Sequence, residues 1–240
     1  WKQRQYLDSP PWTISHTMKR NAAFISCFLE EDPTREVRLL KPAVPSIVIA
    51  SDAQVTPGAY PSGGALMWDP VTGEKIGFWS IFHDVELALM GETLEGLSDG
   101  RQPIAACEAA MLPHGLCVWK EKLRHRHVLW LVDNTNAMCA FIKGSSGSER
   151  LERMVNVFWL LCFRLDVRVY IEWIESGSNW SDGISRDLGG DSWSARHGFQ
   201  TAVKALDMAW WFAELPDVMR MSAEALLLPR GARAARPALC

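Results

Sequence analysis

Paired cysteines are missing from this chain. None of its six cysteines falls in a C-x-x-C pair, so the usual zinc-ribbon and thiol-redox spacings are excluded. Cys27, Cys107, Cys117, Cys139, Cys162 and Cys240 lie mostly inside apolar segments. Reduced, buried thiols in an intracellular protein are therefore expected, rather than a disulfide framework. No apolar run approaches the roughly 18 residues of a membrane span, no signal peptide is recognisable, and no membrane partner is expected. An excess of one charge sign is also absent: 25 Lys+Arg against 28 Asp+Glu leave a net charge of −3. A polyanionic partner would have to be held by a local basic surface or by metal ions, not by the field of the whole molecule. No internal repeat is present. What the chain does have is enough apolar material, 48% of 240 residues, to bury a proper core.

Residues 1–45 read as a peripheral helical extension. Thr13 or Ser15 is placed to cap a helix through "MKRNAAFISCFLEE", and a Pro-punctuated connection follows. "SIVIASD" (Ser46 to Asp52) is a short β-branched run of the buried-strand type. After a Gly- and Pro-rich loop, "ALMWD" and "KIGFWSIF" flank "DPVTGE" as a hairpin. "GETLEGLSDGRQP" reads as loop. Ile104 to about Arg124 reads as helix, with Ile104, Glu108, Met111, Gly115 and Trp119 along one stripe and Pro113 expected to kink or restart it. "VLWLVD" is a second buried strand, followed by a helix over Thr135 to Lys143 that ends in "GSSG". Ser148 is placed to cap a further helix with Leu151, Val155, Phe158, Cys162 and Leu165 on its apolar face. "VRVYIEWI" alternates as a half-exposed strand, and Asn179 is expected to cap a helix through "WSDGISR". "TAVKALDMAWWFAEL" and "AEALLL" read as helices, and "PRGARAARPALC" as a disordered tail. The expected divisions are 1–45, a mixed α/β domain over 46–190, C-terminal helices over 191–228 and a tail over 229–240. The domain should be a mixed sheet with an antiparallel edge, parallel strands and helices on both faces.

Four carboxylates stand at special places in this order. Asp52 and Asp133 each end a buried strand, Glu108 lies on an apolar helical stripe, and Asp182 opens a late helix. Adjacent parallel strands that end in Asp bring those side chains to one edge of the sheet, and crossing helices can add the others. Gathered carboxylates repel unless cations neutralise them, and an all-oxygen donor set suits Mg²⁺, with Mn²⁺ able to substitute. Two such ions are the usual clamp for in-line displacement at phosphorus. Singly, each residue has an ordinary structural explanation: a turn, a cap, or the N-terminal end of a helix dipole. Glu108 fits such an explanation worst, because a buried unpaired carboxylate is expensive. The conjunction carries the expectation.

The blocks "SDA…GGALMWD", "ACEAAML", "LVDNTNAMCAFIKGSSGSERLERMV" and "IEWIESGSNWSDGISR" together resemble the ribonuclease H domain of retroelement reverse transcriptases, above all those of the tyrosine-recombinase (DIRS-like) retrotransposons. The likeness spans about residues 46–188, and its last two blocks are the most specific. It implies a ribonuclease H-like α/β fold with Asp52, Glu108, Asp133 and Asp182 in the four metal-ligand positions. It further implies two-metal hydrolysis of the RNA strand of an RNA–DNA hybrid. The remainder of a reverse transcriptase polyprotein is the implied partner, with residues 1–45 a remnant of the connection that follows its polymerase palm. Two places depart from the pattern: the loop after Asp52 is longer, and Glu175 to Ser178 replace a Pro-Gly turn that a His sometimes follows.

Around the carboxylates, Asn134, Thr135, Asn179 and Arg186 are candidates for contact with the nucleic acid, Asn134 and Thr135 equally for capping the helix that they begin. "KEKLRHRH" (Lys120 to His127) is the densest basic stretch, readable as a phosphate contact or as a solvated helix end. Two alternatives to a hybrid-cutting enzyme stand beside it. One is a DNA-cutting integrase or transposase of the same fold. The other is a catalytically decayed or domesticated domain that only binds nucleic acid or protein.

Overall fold

The computed structural model describes residues 46–98, 103–209 and 211, together with Ala22, Ile25 and Ser26. The chain divides into two compact units, Arg38–Glu214 and a second that joins Trp1–Val37 to Leu215–Cys240. Every element below belongs to the first. Of the expected N-terminal helix only Ala22, Ile25 and Ser26 are described, and they are helical. Residues 212–228 and the tail 229–240 lie outside the described residues. No described helix is long and apolar enough to cross a membrane.

Six strands form one sheet: β1 (Ile47–Gln54), β2 (Ser62–Trp68), β3 (Lys75–Ile81), β4 (His127–Val132), β5 (Arg168–Trp173) and β6 (Gln200–Val203). Their order is β5-β4-β1-β2-β3-β6. β2 pairs antiparallel with both β1 and β3, whereas β4 is parallel to β1, β5 to β4 and β6 to β3. The helices are α1 (Asp84–Leu89), α2 (Leu94–Ser98), α3 (Ile104–Val118), α4 (Lys120–Leu123), α5 (Thr135–Lys143), α6 (Glu149–Arg164), α7 (Asp182–Asp187) and α8 (Ser192–Arg196).

The core lies between the sheet and α3. That helix packs on β1 and β2 and has α6 behind it. Residues Ala106 to Leu116 are therefore buried without a break, as expected of a helix covered all round. The stripe read on α6 is buried from Leu151 to Leu165. Each large apolar side chain so covered contributes roughly 1.5–3 kcal/mol.

Adjacent glycines in β2 set how closely the two helical layers approach. A Cβ on Gly63 would lie 2.5 Å from the Met111 sulfur of α3, and one on Gly64 would lie 2.8 Å from Ile184 of α7. Successive strand residues face opposite sides of a sheet, so one residue pair seats one helix on each face.

Several local expectations need correction. Pro113 does not restart the helix: α3 runs through Pro113 to Val118, and the break comes at Trp119. Tight packing on both sides outweighs the hydrogen bond that Pro113 cannot donate. β2 begins inside the expected loop, at Ser62, because its first residues pair with the end of β1. Part of "GETLEGLSDGRQP" is the helix α2. Ser148 occupies the N-cap position of α6 without a side-chain cap, and Ser181, not Asn179, precedes α7. Cys139 is exposed, while Cys107 and Cys162 are buried. The helix expected from Thr201 onward starts instead as strand β6, so the sheet continues past residue 190. Its Ala and Val are mostly exposed, leaving no alternation to read; the open edge of β3 decides the conformation.

Candidate metal centre

β1 and β4 are parallel neighbours, with Ala50 paired to Leu131. Asp52 and Asp133 each lie two residues beyond that pair and so emerge side by side at one rim. α3 crosses the rim and brings Glu108. One carboxylate oxygen from each of Asp52, Glu108 and Asp133 lies within 4.8 Å of the others. Three of the four expected ligands are thus gathered from three elements far apart in sequence.

Asp52 and Glu108 are buried. Burial, then the charges of Asp133 and Asp182, push Asp52 up to about 7, while the Ser185 hydrogen bond opposes the rise. Burial, then Asp133 and Asp52, push Glu108 up to about 8, against a hydrogen bond from Asn134. Protons thus substitute for the missing positive charge. Oδ1 of Asp133 is buried and has no hydrogen-bond partner, which is costly for a carboxylate in any role except facing a ligand. All donors are hard oxygens. The residues fit a hard divalent cation such as Mg²⁺ or Mn²⁺.

Asp182 stands at the margin. It lies near enough to Asp52 to raise that residue's pKa, but outside the group of three. Its own carboxyl is raised by burial first, with Arg186 opposing, and its Oδ1 is 2.6 Å from Nη2 of Arg186. The four expected ligands are therefore three together and one engaged by its own helix.

Ser185 went unnoticed in the sequence. Its hydroxyl donates to Oδ2 of Asp52 at 2.5 Å and lies 2.9 Å from the Asp182 carbonyl. The seat of α7 on Gly64, which is paired to Asp52 in the register, makes this reach possible. The available signal was its spacing, three residues after Asp182 and so on the same helical face. Trp173 was likewise read only as a strand residue; its indole N–H donates to the carbonyl of Asp133 at 3.1 Å.

The remaining candidates separate. Asn134 caps α5, its Oδ1 accepting from the N–H groups of Asn136 and Ala137, and Thr135 is exposed beside it. Asn179 is buried. Its amide donates to the Ser51 carbonyl at 3.4 Å and its Oδ1 accepts from the Ser181 hydroxyl at 2.6 Å. Arg186 is exposed apart from its pairing with Asp182. The "KEKLRHRH" stretch lies at the other end of β4 from Asp133, about 20 Å away at roughly 3.3 Å per strand residue. There Lys122 pairs with Glu74, Arg126 with Asp69 and His125 with Asp166.

A three-stranded antiparallel edge continued by parallel strands, with Asp52 late in β1 and Asp133 directly after β4, is the mixed α/β arrangement expected from the sequence. No family model matches the chain, and no curated protein does. Among solved structures the chain is similar to the RNase H1 of Halobacterium salinarum at 10% identity, with 57% of this chain and 91% of that one covered and a TM-score of 0.44. It is similar to the N-terminal RNase H domain of a Mycobacterium tuberculosis protein at 15% identity, with 64% and 99% covered and a TM-score of 0.45. It is also similar to LC11-RNase H1, isolated from compost by a metagenomic approach, at 13% identity, with 56% and 87% covered and a TM-score of 0.38.

Proposed function

We propose that this chain is a metal-dependent endonuclease that hydrolyses the RNA strand of RNA–DNA hybrids and belongs to, or descends from, a retroelement reverse transcriptase. The observation that carries the reading is the meeting of Asp52, Glu108 and Asp133 within 4.8 Å at one rim of a ribonuclease H-like sheet. Asp52, Glu108 and Asp133 would hold one divalent ion, and Asp182, at the edge of the group, would help to hold a second once released from Arg186. When bound, such ions supply an activated water and neutralise charge developing at phosphorus.

The chain's own residues set the geometry. Ser185 holds one oxygen of Asp52, leaving the other for the cation. Asp133 keeps Oδ1 uncommitted, and the Trp173 indole fixes the main chain behind it. Thr135 and Arg186 are exposed at this rim and available to phosphate or 2′-hydroxyl groups, the contacts by which a hybrid is recognised through shape rather than sequence. Asn134 and Asn179, by contrast, support the site from within through the hydrogen bonds they already make.

The pairing of Asp182 with Arg186 favours a second reading, a domain of this fold that binds nucleic acid or protein without cutting. One assay separates these and the integrase alternative. The full chain is incubated with labelled RNA–DNA hybrid, duplex DNA and duplex RNA, with Mg²⁺ or chelator, beside D133N. Metal-dependent loss of the hybrid's RNA strand alone, absent in D133N, is the expected result. Cutting of DNA would point to an integrase, and binding without cutting to the module.

A further inference from the structure

Ser62 has two roles at the start of β2. It is paired with Gln54 of β1 in the register, and its hydroxyl leaves the sheet to donate to the Ser185 carbonyl of α7 at 2.6 Å. α7 has only six residues, Asp182–Asp187, and the carbonyls of a helix's last turn have no partner inside the helix. Ser62 supplies one of them with a donor from the sheet. It lies two residues from Gly64 and so on the same face of β2, where a Cβ on Gly64 would come within 2.8 Å of Ile184. Gly64 thus lets α7 come close, and Ser62 holds it there.

What this seat delivers is a hydroxyl. Ser185 is fully buried, and its one proton has two acceptors in reach: Oδ2 of Asp52 at 2.5 Å and the Asp182 carbonyl at 2.9 Å. The shorter contact goes to a strand, the longer to the main chain of its own helix. An O–H donor bonds well only at about 2.5–3.0 Å. An outward shift of α7 would therefore give up Asp52, while the contact inside the helix moves with Ser185 and survives. Another tie between this segment and the strands, the Asn179 amide on the Ser51 carbonyl, is longer at 3.4 Å. The bond to Asp52 is the one that depends on where α7 sits, and Ser62 ties the residue that makes it.

We infer that Ser62 is a positioning residue of the metal centre: by holding the Ser185 carbonyl it fixes the depth of α7, so that the Ser185 hydroxyl engages one oxygen of Asp52 and leaves the other to the cation. Ser62 is not itself a ligand; it acts through Ser185. This inference rests on the metal-dependent reading above.

The test uses the full chain with S62A, which loses the hydroxyl, S62T, which keeps it on a residue type suited to strands, S185A, and the S62A/S185A double variant. Mn²⁺ binding is followed by electron paramagnetic resonance, and metal-free stability by thermal melting in chelator. S62A should bind Mn²⁺ about 10-fold more weakly, the lower end of the usual effect of losing a group that orients a ligand. S62T should bind as the wild type does, and the double variant no more weakly than S185A alone. An S62A protein that melts lower but keeps wild-type affinity would reduce Ser62 to a structural contact. Losses of affinity that multiply in the double variant would show that Ser62 does not act through Ser185. Either result overturns the proposal. A cycle of S62A with D52N, melted in chelator, reads the same link free of metal: non-additive shifts support it, and additive shifts overturn it. Wild-type protein that binds no Mn²⁺ would defeat the metal-dependent reading itself, a result distinct from either outcome of the cycle.

Discussion

Asp52 and Asp69 are buried to nearly the same degree, 5% and 4% exposed, yet they sit at opposite rims of one sheet and respond oppositely to burial. Asp69 lies against the Arg126 guanidinium, with both oxygens at 3.1 Å from its nitrogens. Burial works to raise its pKa, but Arg126 and main-chain hydrogen bonds outweigh it, so the carboxyl lies below its ordinary value. Asp52 meets carboxylates instead and is pushed up to about 7. At the Asp69 rim Asp69 has Arg126 and Glu74 has Lys122. At the Asp52 rim three acids are gathered, with the Ser185 hydroxyl donating to Asp52. The first arrangement holds the structure together. The second costs stability as it stands and makes physical sense when a cation arrives from outside.

The comparison can be broken most sharply with D133N. Cleavage of hybrid RNA should fall by at least about 10²-fold, the scale of losing a group that stabilises transition-state charge, while metal-free D133N melts no lower than the wild type because a repulsion has gone. A melting curve well below the wild type would show that Asp133 is structural. D69N should do the reverse. It leaves Arg126 half-buried without its partner, costs about 1–3 kcal/mol, and leaves Mn²⁺ affinity unchanged by calorimetry.

The two rims should also titrate in opposite senses. A carboxyl with a raised folded-state pKa holds a proton that the unfolded chain has released. Its contribution to stability is therefore full below the unfolded value and lost as pH rises through the folded one. For Asp52 that window runs from 3.8 to about 7, and for Glu108 from 4.5 to about 8. Asp69, with its pKa lowered, contributes stability above its unfolded value and loses it as pH falls below. Melting temperatures of the metal-free chain should thus decline by a few degrees between pH 5 and 8. D52N should flatten that decline, and saturating Mg²⁺ should abolish it. A decline that persists undiminished in D52N and E108Q would mean that other groups dominate. The smallest effect belongs to K122A: its pair with Glu74 is exposed, so denaturant melts should shift by no more than about 0.5 kcal/mol.

Much of the sheet was legible because β1 and β4 are buried runs of Ile, Val, Leu and Trp, and α5 is bracketed by Asn134 and Gly144. That glycine takes the left-handed conformation at φ 67°, which costs glycine no steric strain. β6 and α2 were not legible, since their few residues bury little and depend on the edge or loop against which they lie. Within the site, Asp52, Glu108 and Asp133 could be chosen as strand-end and stripe residues. Ser185 could not, because its role depends on how deeply α7 settles over Gly64.

The amino-acid order alone placed Asp133 directly after β4 and Asp52 on β1, which runs on to Gln54, since strand alternation and hydrophobic runs are local properties of the chain. Only the folded molecule decided that Asp182 would turn to Arg186, that Ser185 would reach Asp52, and that the basic stretch would face away. Those outcomes depend on distances between elements, and such distances are set by packing across the whole core.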